Sequence, residues 1–185
     1  MTDHAPVLLF LDVDGPLIPF GTPSHRRLGN AKEIRSQATR SSRPSSNPLL
    51  DRLNPDDGQQ LLALSCELIW ATSWMSDANS DIAPVIGLPE LPVVEWQDSA
   101  EDDERDGVHW KTRTLVSRAA GRAFIWIDDE ISDADRAWVS AHHTGPALLH
   151  RVDARSGITD PDFQVLAAWL AHQREHPPNV PASVS

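Results

Sequence analysis

The stretch Val7-Leu8-Leu9-Phe10-Leu11-Asp12-Val13-Asp14-Gly15 decides how this chain is read. Its apolar run is continuous rather than alternating, which predicts a strand buried on both faces, as a parallel sheet covered by helices requires. Two carboxylates two residues apart at the carboxyl end of such a strand point into the crevice where open α/β sheets bind ligands. There they repel each other and lose hydration, which is unfavourable unless a cation or a shared proton compensates. Gly15 permits a sharp exit from the strand. The plain alternative for these residues is a surface loop rich in acids.

Four further apolar runs read as strands: Cys66 to Ala71, the weaker Pro92 to Trp96, Ala123 to Ile127 and Ala147 to Val152. Helical patterns separate most of them. Asn54-Pro55-Asp56-Asp57 is a helix start with proline and acids in the first turn. Val108, Thr112, Leu115, Val116 and Ala119 recur at helical spacing before Gly121, and Ser132-Asp133-Ala134-Asp135 caps a helix running to about His142. Asp160-Pro161 opens a last helix with Phe163, Leu166, Ala167 and Leu170 on one face, and Pro177-Pro178 ends it. The expected fold is α/β, a doubly wound parallel sheet of about five strands in a single domain over residues 1–176, with a frayed tail over 177–185.

The chain has 185 residues, 27 Asp+Glu against 16 Lys+Arg, and a formal net charge of −11. That balance excludes indiscriminate attraction to nucleic acid or anionic membrane. The single cysteine, Cys66, forms no internal disulfide and no CxxC zinc pair, so it reads as inert. No cationic leader or long apolar span precedes the first strand, and the protein is expected to be soluble and cytoplasmic, with no membrane partner. Residues 18–53 break the strand–helix rhythm as a basic, irregular insertion. From His25 to Arg43, six basic residues (Arg26, Arg27, Lys32, Arg35, Arg40, Arg43) against Glu33 give +5, whereas Asp98 to Asp106 carries six acids against Arg105, or −5.

The fourth apolar run ends as the first does, in Ile127-Asp128-Asp129. Parallel strands bring both acid pairs to one edge, so Asp12, Asp14, Asp128 and Asp129 read as a hard-cation site, most simply Mg²⁺, unless one of the later pair only caps the next helix. The second run ends in Trp70-Ala71-Thr72-Ser73-Trp74, where a hydroxyl donates to a phosphoryl oxygen or caps the following helix. Lys111 sits early in the helix before the fourth strand; alone, such a lysine is a solvated charge. No GxG pair, GxSxG, GKS or GKT occurs, which disfavours dinucleotide, serine-hydrolase and Walker-A sites. Receiver domains use similar residues in a different order along the chain.

The order of DxD, then Thr, then Lys, then DD resembles the haloacid dehalogenase (HAD) superfamily of phosphohydrolases. The match is closest to the HAD domains of the Swiss-army-knife RNA-repair type, with a similar Leu11-Asp12-Val13-Asp14-Gly15 start, Trp70-Ala71-Thr72-Ser73-Trp74 second motif and Trp126-Ile127-Asp128-Asp129-Glu130 fourth motif. It spans roughly residues 7 to 170. Pro16 departs from the pattern, standing where Thr or Val is frequent and removing a backbone donor.

The resemblance implies a HAD-type, Rossmann-like sheet without a large cap domain and a phosphatase using an aspartyl-phosphate. Asp12 would be the nucleophile and Asp14 the acid and base. Asp12, the Asp14 carbonyl, Asp128 and Asp129 would hold Mg²⁺; Thr72, Ser73 and Lys111 would bind the phosphoryl group. The phosphorylated substrate is expected to be a small phosphomonoester such as a nucleotide, or a nucleic-acid end drawn to the basic insertion. The competing reading is a catalytically retired HAD fold that serves as a binding or regulatory module. On sequence grounds, loss of Lys111 is expected to harm turnover with little effect on folding. The seven tryptophans are assigned to core packing by default, with the alternative that Trp74 and Trp110, which flank Thr72 and Lys111 in sequence, line the pocket and stack a base.

Overall fold

The computed structural model describes residues 5–21, 47–96 and 107–176. The run that opens the chain forms β1 (Leu8–Leu11), in which every residue is buried. Strands β2 (Glu67–Trp70) and β3 (Phe124–Asp128) pair with β1 on either side, and β4 (Ala147–Arg151) pairs with β3. All the pairings are parallel, with Leu11 level with both Trp70 and Ile127, and Asp128 level with Arg151. Burial of a Leu, Ile or Phe side chain is worth about 1.5–3 kcal/mol, which is why this wholly apolar run takes a central position.

Successive side chains on a strand point to opposite faces, and the two cores divide accordingly. Leu9, Leu11, Leu68, Trp70, Ile125 and Ile127 pack on one face against α1 (Asp56–Ala63), α2 (Ala83–Ile86) and α5 (Asp160–Glu175) through Leu61, Ile86, Leu166 and Leu170. Leu8, Phe10, Ile69, Phe124, Trp126 and Leu149 pack on the other against α3 (Thr112–Ala119) and α4 (Asp133–His142) through Leu115 and Val139. This is the expected doubly wound α/β arrangement. The starts of α4 and α5 are capping boxes, Ser132 with Asp135 and Thr159 with Asp162. No helix among the described residues is long and apolar enough to cross a membrane.

Among the described residues the sheet has four strands rather than about five. Pro92 to Trp96 lies along the outer edge of β2 but contributes a single bridge, Trp70 to Val93, through Trp70 N–H to the Pro92 carbonyl at 2.9 Å and Val94 N–H to the Trp70 carbonyl at 2.9 Å. Pro92 has no N–H to extend a ladder. Just before it, the Asn79 amide takes both backbone groups of Leu91, at 2.8 and 2.9 Å, leaving none for a neighbouring strand.

Both described ends of the basic insertion are built into the fold. Ile18 and Leu53 are buried, and a short 3-10 helix occupies Pro48–Arg52. Residues 22–46 with their basic cluster, the acidic run at 98–106 and the tail at 177–185 lie outside the described residues.

Candidate active site

The parity that divides the core also aims the acids. Asp12 continues the Leu8 and Phe10 series beyond β1, and Asp128 continues Phe124 and Trp126 at the end of β3, so both carboxylates face the layer that holds α3. Lys111 stands at the amino end of α3 and is 3 % exposed. Its Nζ lies 2.8 Å from Asp12 Oδ2 and 2.8 Å from Asp128 Oδ2. Asp128 Oδ2 also accepts the indole N–H of Trp126 at 3.2 Å, and its Oδ1 accepts the Glu130 N–H at 2.9 Å. Asp12 Oδ1 accepts the Val13 N–H at 2.8 Å.

Burial pushes the Asp12 carboxyl up to about 7, Lys111 pulls against that shift, and Asp128 adds to it. Burial alone would lower Lys111, but the two carboxylates beside it outweigh that effect and raise it, so it stays an ammonium. Asp129 is raised by burial and by adjacent Asp128. Carboxylate oxygens of Asp12, Asp128 and Asp129 all come within 4.8 Å of one another. When all three carboxylates are ionised they exceed the one ammonium by two negative charges, and the donors are all hard oxygens, so the set fits one small divalent cation whose charge would favour that ionised state.

Gly15 explains how Asp129 joins this set. Its φ is +82°, and a Cβ there would stand 2.4 Å from Asp129 Oδ1. The Asp129 carboxylate therefore rests directly over the glycine backbone. Pro16 sits in the turn that follows, and its carbonyl accepts the Ile158 N–H at 2.8 Å, which ties the β1 exit to the loop before α5.

The carboxylate of Asp14 stands apart from that cluster: its Oδ2 accepts the indole N–H of Trp74 at 3.0 Å. Thr72, fully buried, follows β2, and its Oγ1 accepts the Trp74 N–H at 3.3 Å, the local capping bond open to it from sequence. Its carbonyl accepts the indole N–H of Trp96 at 3.2 Å. Ser73, next in the turn, is exposed. The structure thus brings Asp12, Lys111, Asp128 and Asp129 into direct proximity, and joins Asp14 and Thr72 to each other through Trp74.

Several residues with no assigned role from sequence hold this arrangement. Asp135, buried at the start of α4, accepts four hydrogen bonds: from His109 N–H at 2.7 Å, Thr112 Oγ1 at 2.6 Å, and Ser132 N–H and Oγ at 2.8 and 2.6 Å. Two of these donors flank Lys111, so Asp135 fixes the loop that carries the lysine. His109 Nδ1 accepts the Lys111 N–H at 3.3 Å, which leaves Nε2–H to donate to Glu130 at 3.0 Å. The Ser132-x-x-Asp135 spacing was the available signal for Asp135; nothing local marks His109. Elsewhere, burial pushes the Cys66 thiol up to about 11, in keeping with an inert cysteine. His142 and His143 are tied to the carbonyls of Trp138 and Arg122 at the end of α4.

An open cleft of about 740 Å³ begins at Asp129 and Glu130 and continues along Arg151 to Ala154. Arg151 Nε donates to the Asp129 carbonyl at 2.8 Å. Among the described residues, no second domain covers this edge. No curated protein and no solved structure gives a significant match to the chain. A family model for the HAD domain in Swiss Army Knife RNA repair proteins matches residues 8–163, which include every site residue named above. The chain therefore belongs to the family of HAD domains found in Swiss Army Knife RNA repair proteins, a branch of the phosphohydrolase-type HAD superfamily.

Proposed function

We propose that the chain is a cytoplasmic, Mg²⁺-dependent phosphomonoesterase that works through an aspartyl-phosphate on Asp12. The observation that carries this reading is the buried Lys111 ammonium at 2.8 Å from both Asp12 and Asp128, which holds carboxylates of two strand ends together at one sheet edge. A structural ion pair needs only one carboxylate. Three converging carboxylates beside one ammonium are costly for a fold and useful for phosphoryl transfer.

In the first half-reaction, an Asp12 carboxylate oxygen bonds to phosphorus as the ester P–O bond breaks. The Asp14 carboxyl, positioned by the Trp74 indole, gives its proton to the leaving oxygen. In the second, Asp14 takes a proton from water as that water attacks phosphorus. Inorganic phosphate leaves, and the Asp12 carboxylate is restored. Lys111 and the Thr72 hydroxyl hold non-reacting phosphoryl oxygens, with Ser73 at the rim. Asp12, Asp128, Asp129 and the Asp14 carbonyl would hold Mg²⁺, which supplies charge neutralisation on the phosphoryl oxygens.

The test is hydrolysis of an aryl phosphate with and without Mg²⁺. Wild type should turn over only with the metal, and Asp12→Asn should fall to the buffer rate while remaining folded. An Asp12→Asn protein that keeps most of its Mg²⁺-dependent turnover refutes the nucleophile. A wild type inactive on every phosphomonoester tested is instead a retired binding module. Nucleic-acid ends belong among the substrates to test because of the +5 sequence cluster at 25–43, and binding of such ends that is insensitive to salt removes that class.

A further inference from the structure

Of the two roles open to Trp110 from sequence, core packing and lining the pocket, its exposure fits the second. It is 39 % exposed, whereas Trp70 and Trp126 are fully buried and Trp74, Trp96, Trp138 and Trp169 are partly so. Trp96 and His109 pack against its ring, yet much of the indole stays exposed beside the Asp12, Lys111 and Asp128 cluster. It immediately precedes Lys111, whose Nζ is 5.4 Å from the centroid of its ring. Trp96 meets the ring edge-to-face with centroids 4.6 Å apart, and the Trp96 indole N–H is fixed on the Thr72 carbonyl at 3.2 Å. The Trp110 ring is thus braced by one phosphoryl-binding element and attached to the other. Asp12 Oδ2 lies 2.8 Å from the same ammonium, so reacting carboxylate and ring centroid are separated by no more than the two distances combined.

We propose that Trp110, backed by Trp96, is a stacking platform for an aromatic ring carried by the substrate, so that the preferred esters are those of a nucleoside or another aryl-bearing alcohol. This rests on the phosphomonoesterase reading of the same site. An aromatic group stacks on an indole with little regard for its identity. The platform therefore sets the class of the leaving group without reading a particular base. The ammonium at its side anchors the phosphate, and the ring linked through a sugar, or directly through the ester oxygen, falls within reach.

The experiment compares adenosine 5′-monophosphate with ribose 5-phosphate, which share the phosphate and sugar and differ in the base. In Mg²⁺ buffer the nucleotide should have the lower KM. Trp110→Ala should raise that KM about tenfold, with KM for ribose 5-phosphate unchanged within twofold, and Trp110→Phe should keep most of the preference. Equal KM values for the two esters in wild type overturn the platform. So does a Trp110→Ala variant impaired equally on both, which marks a structural role. Equilibrium dialysis of both ligands keeps the two readings separable. The phosphatase reading is decided by the aryl-phosphate test above; if neither of these two esters is hydrolysed, the platform still stands or falls on whether the nucleotide binds more tightly and loses that advantage in Trp110→Ala.

Discussion

Replacing Asp135 by Asn changes one atom of the side chain and should destabilise the protein by about 2–3 kcal/mol. Each carboxylate oxygen of Asp135 accepts two hydrogen bonds, and whichever becomes an NH₂ group then faces a backbone N–H and a hydroxyl. The hydroxyl can turn and accept. The backbone N–H cannot, and a buried donor left without a partner costs about 1–3 kcal/mol. The other two bonds lose their charge assistance, while removal of a desolvated charge offsets part of the loss.

At roughly 2–4 °C per kcal/mol for a chain of this size, the midpoint should fall by about 4–12 °C. The loss should also depend on pH. Burial alone would raise the Asp135 carboxyl, but the hydrogen bonds from Ser132 and Thr112 outweigh it and hold the group below its ordinary 3.8. A carboxyl lowered in the folded state contributes its full stability above the unfolded value and loses it as pH falls through the folded one. Urea titrations should therefore show a constant gap between wild type and variant from about pH 8 to pH 5, narrowing below about pH 3.8. A gap under about 1 kcal/mol at neutral pH, or one that widens in acid, refutes the assigned role.

Lys111→Met should cost about 3–5 kcal/mol of stability at neutral pH as well as turnover, because it leaves Asp12 and Asp128 buried without their counter-charge; thermal midpoints with and without Mg²⁺ measure it. Gly15→Ala should cost about 1–2 kcal/mol from its positive φ and should raise the Mg²⁺ concentration needed for half-maximal turnover, since the new methyl displaces Asp129. An unchanged Mg²⁺ titration speaks against Asp129 as a ligand. Trp74→Phe keeps an aromatic side chain and removes the indole donor to Asp14, so hydrolysis of an alkyl phosphate should fall about tenfold further than that of p-nitrophenyl phosphate, whose leaving group needs little help from an acid. Equal losses on the two esters rule out a role for Trp74 through Asp14.

Much of the fold was legible because continuous apolar runs and their parity are local properties. The alternation that sends Leu9 to one helix layer and Phe10 to the other also aims Asp12 and Asp128 at α3. The short third run was legible as extended backbone but not as an unpaired one, because the competitor for its hydrogen bonds, Asn79, lies twelve residues before Leu91. Lys111 was legible only through its order along the chain. Its polar surroundings in sequence suggest solvent, whereas its partners come from the ends of two strands, and that burial turns the expected mild folding effect of its loss into a large one. The bond from Trp74 to Asp14 spans sixty residues and leaves no trace in either local pattern.

The two ends of the basic insertion meet without its help. Phe20 and Gly21 donate to the carbonyls of Ala154 and Arg155 at 2.7 and 3.1 Å, and on the return Arg52 donates to the Pro19 carbonyl at 2.9 Å. This closed neck decouples the length of residues 22–46 from the sheet. Loop closure depends only logarithmically on length, with a doubling worth about 0.6 kcal/mol, so insertions and deletions here are nearly neutral for folding. The neck therefore lets this chain change length close in sequence to the strand that leads into Asp12, without disturbing the pairing of that strand.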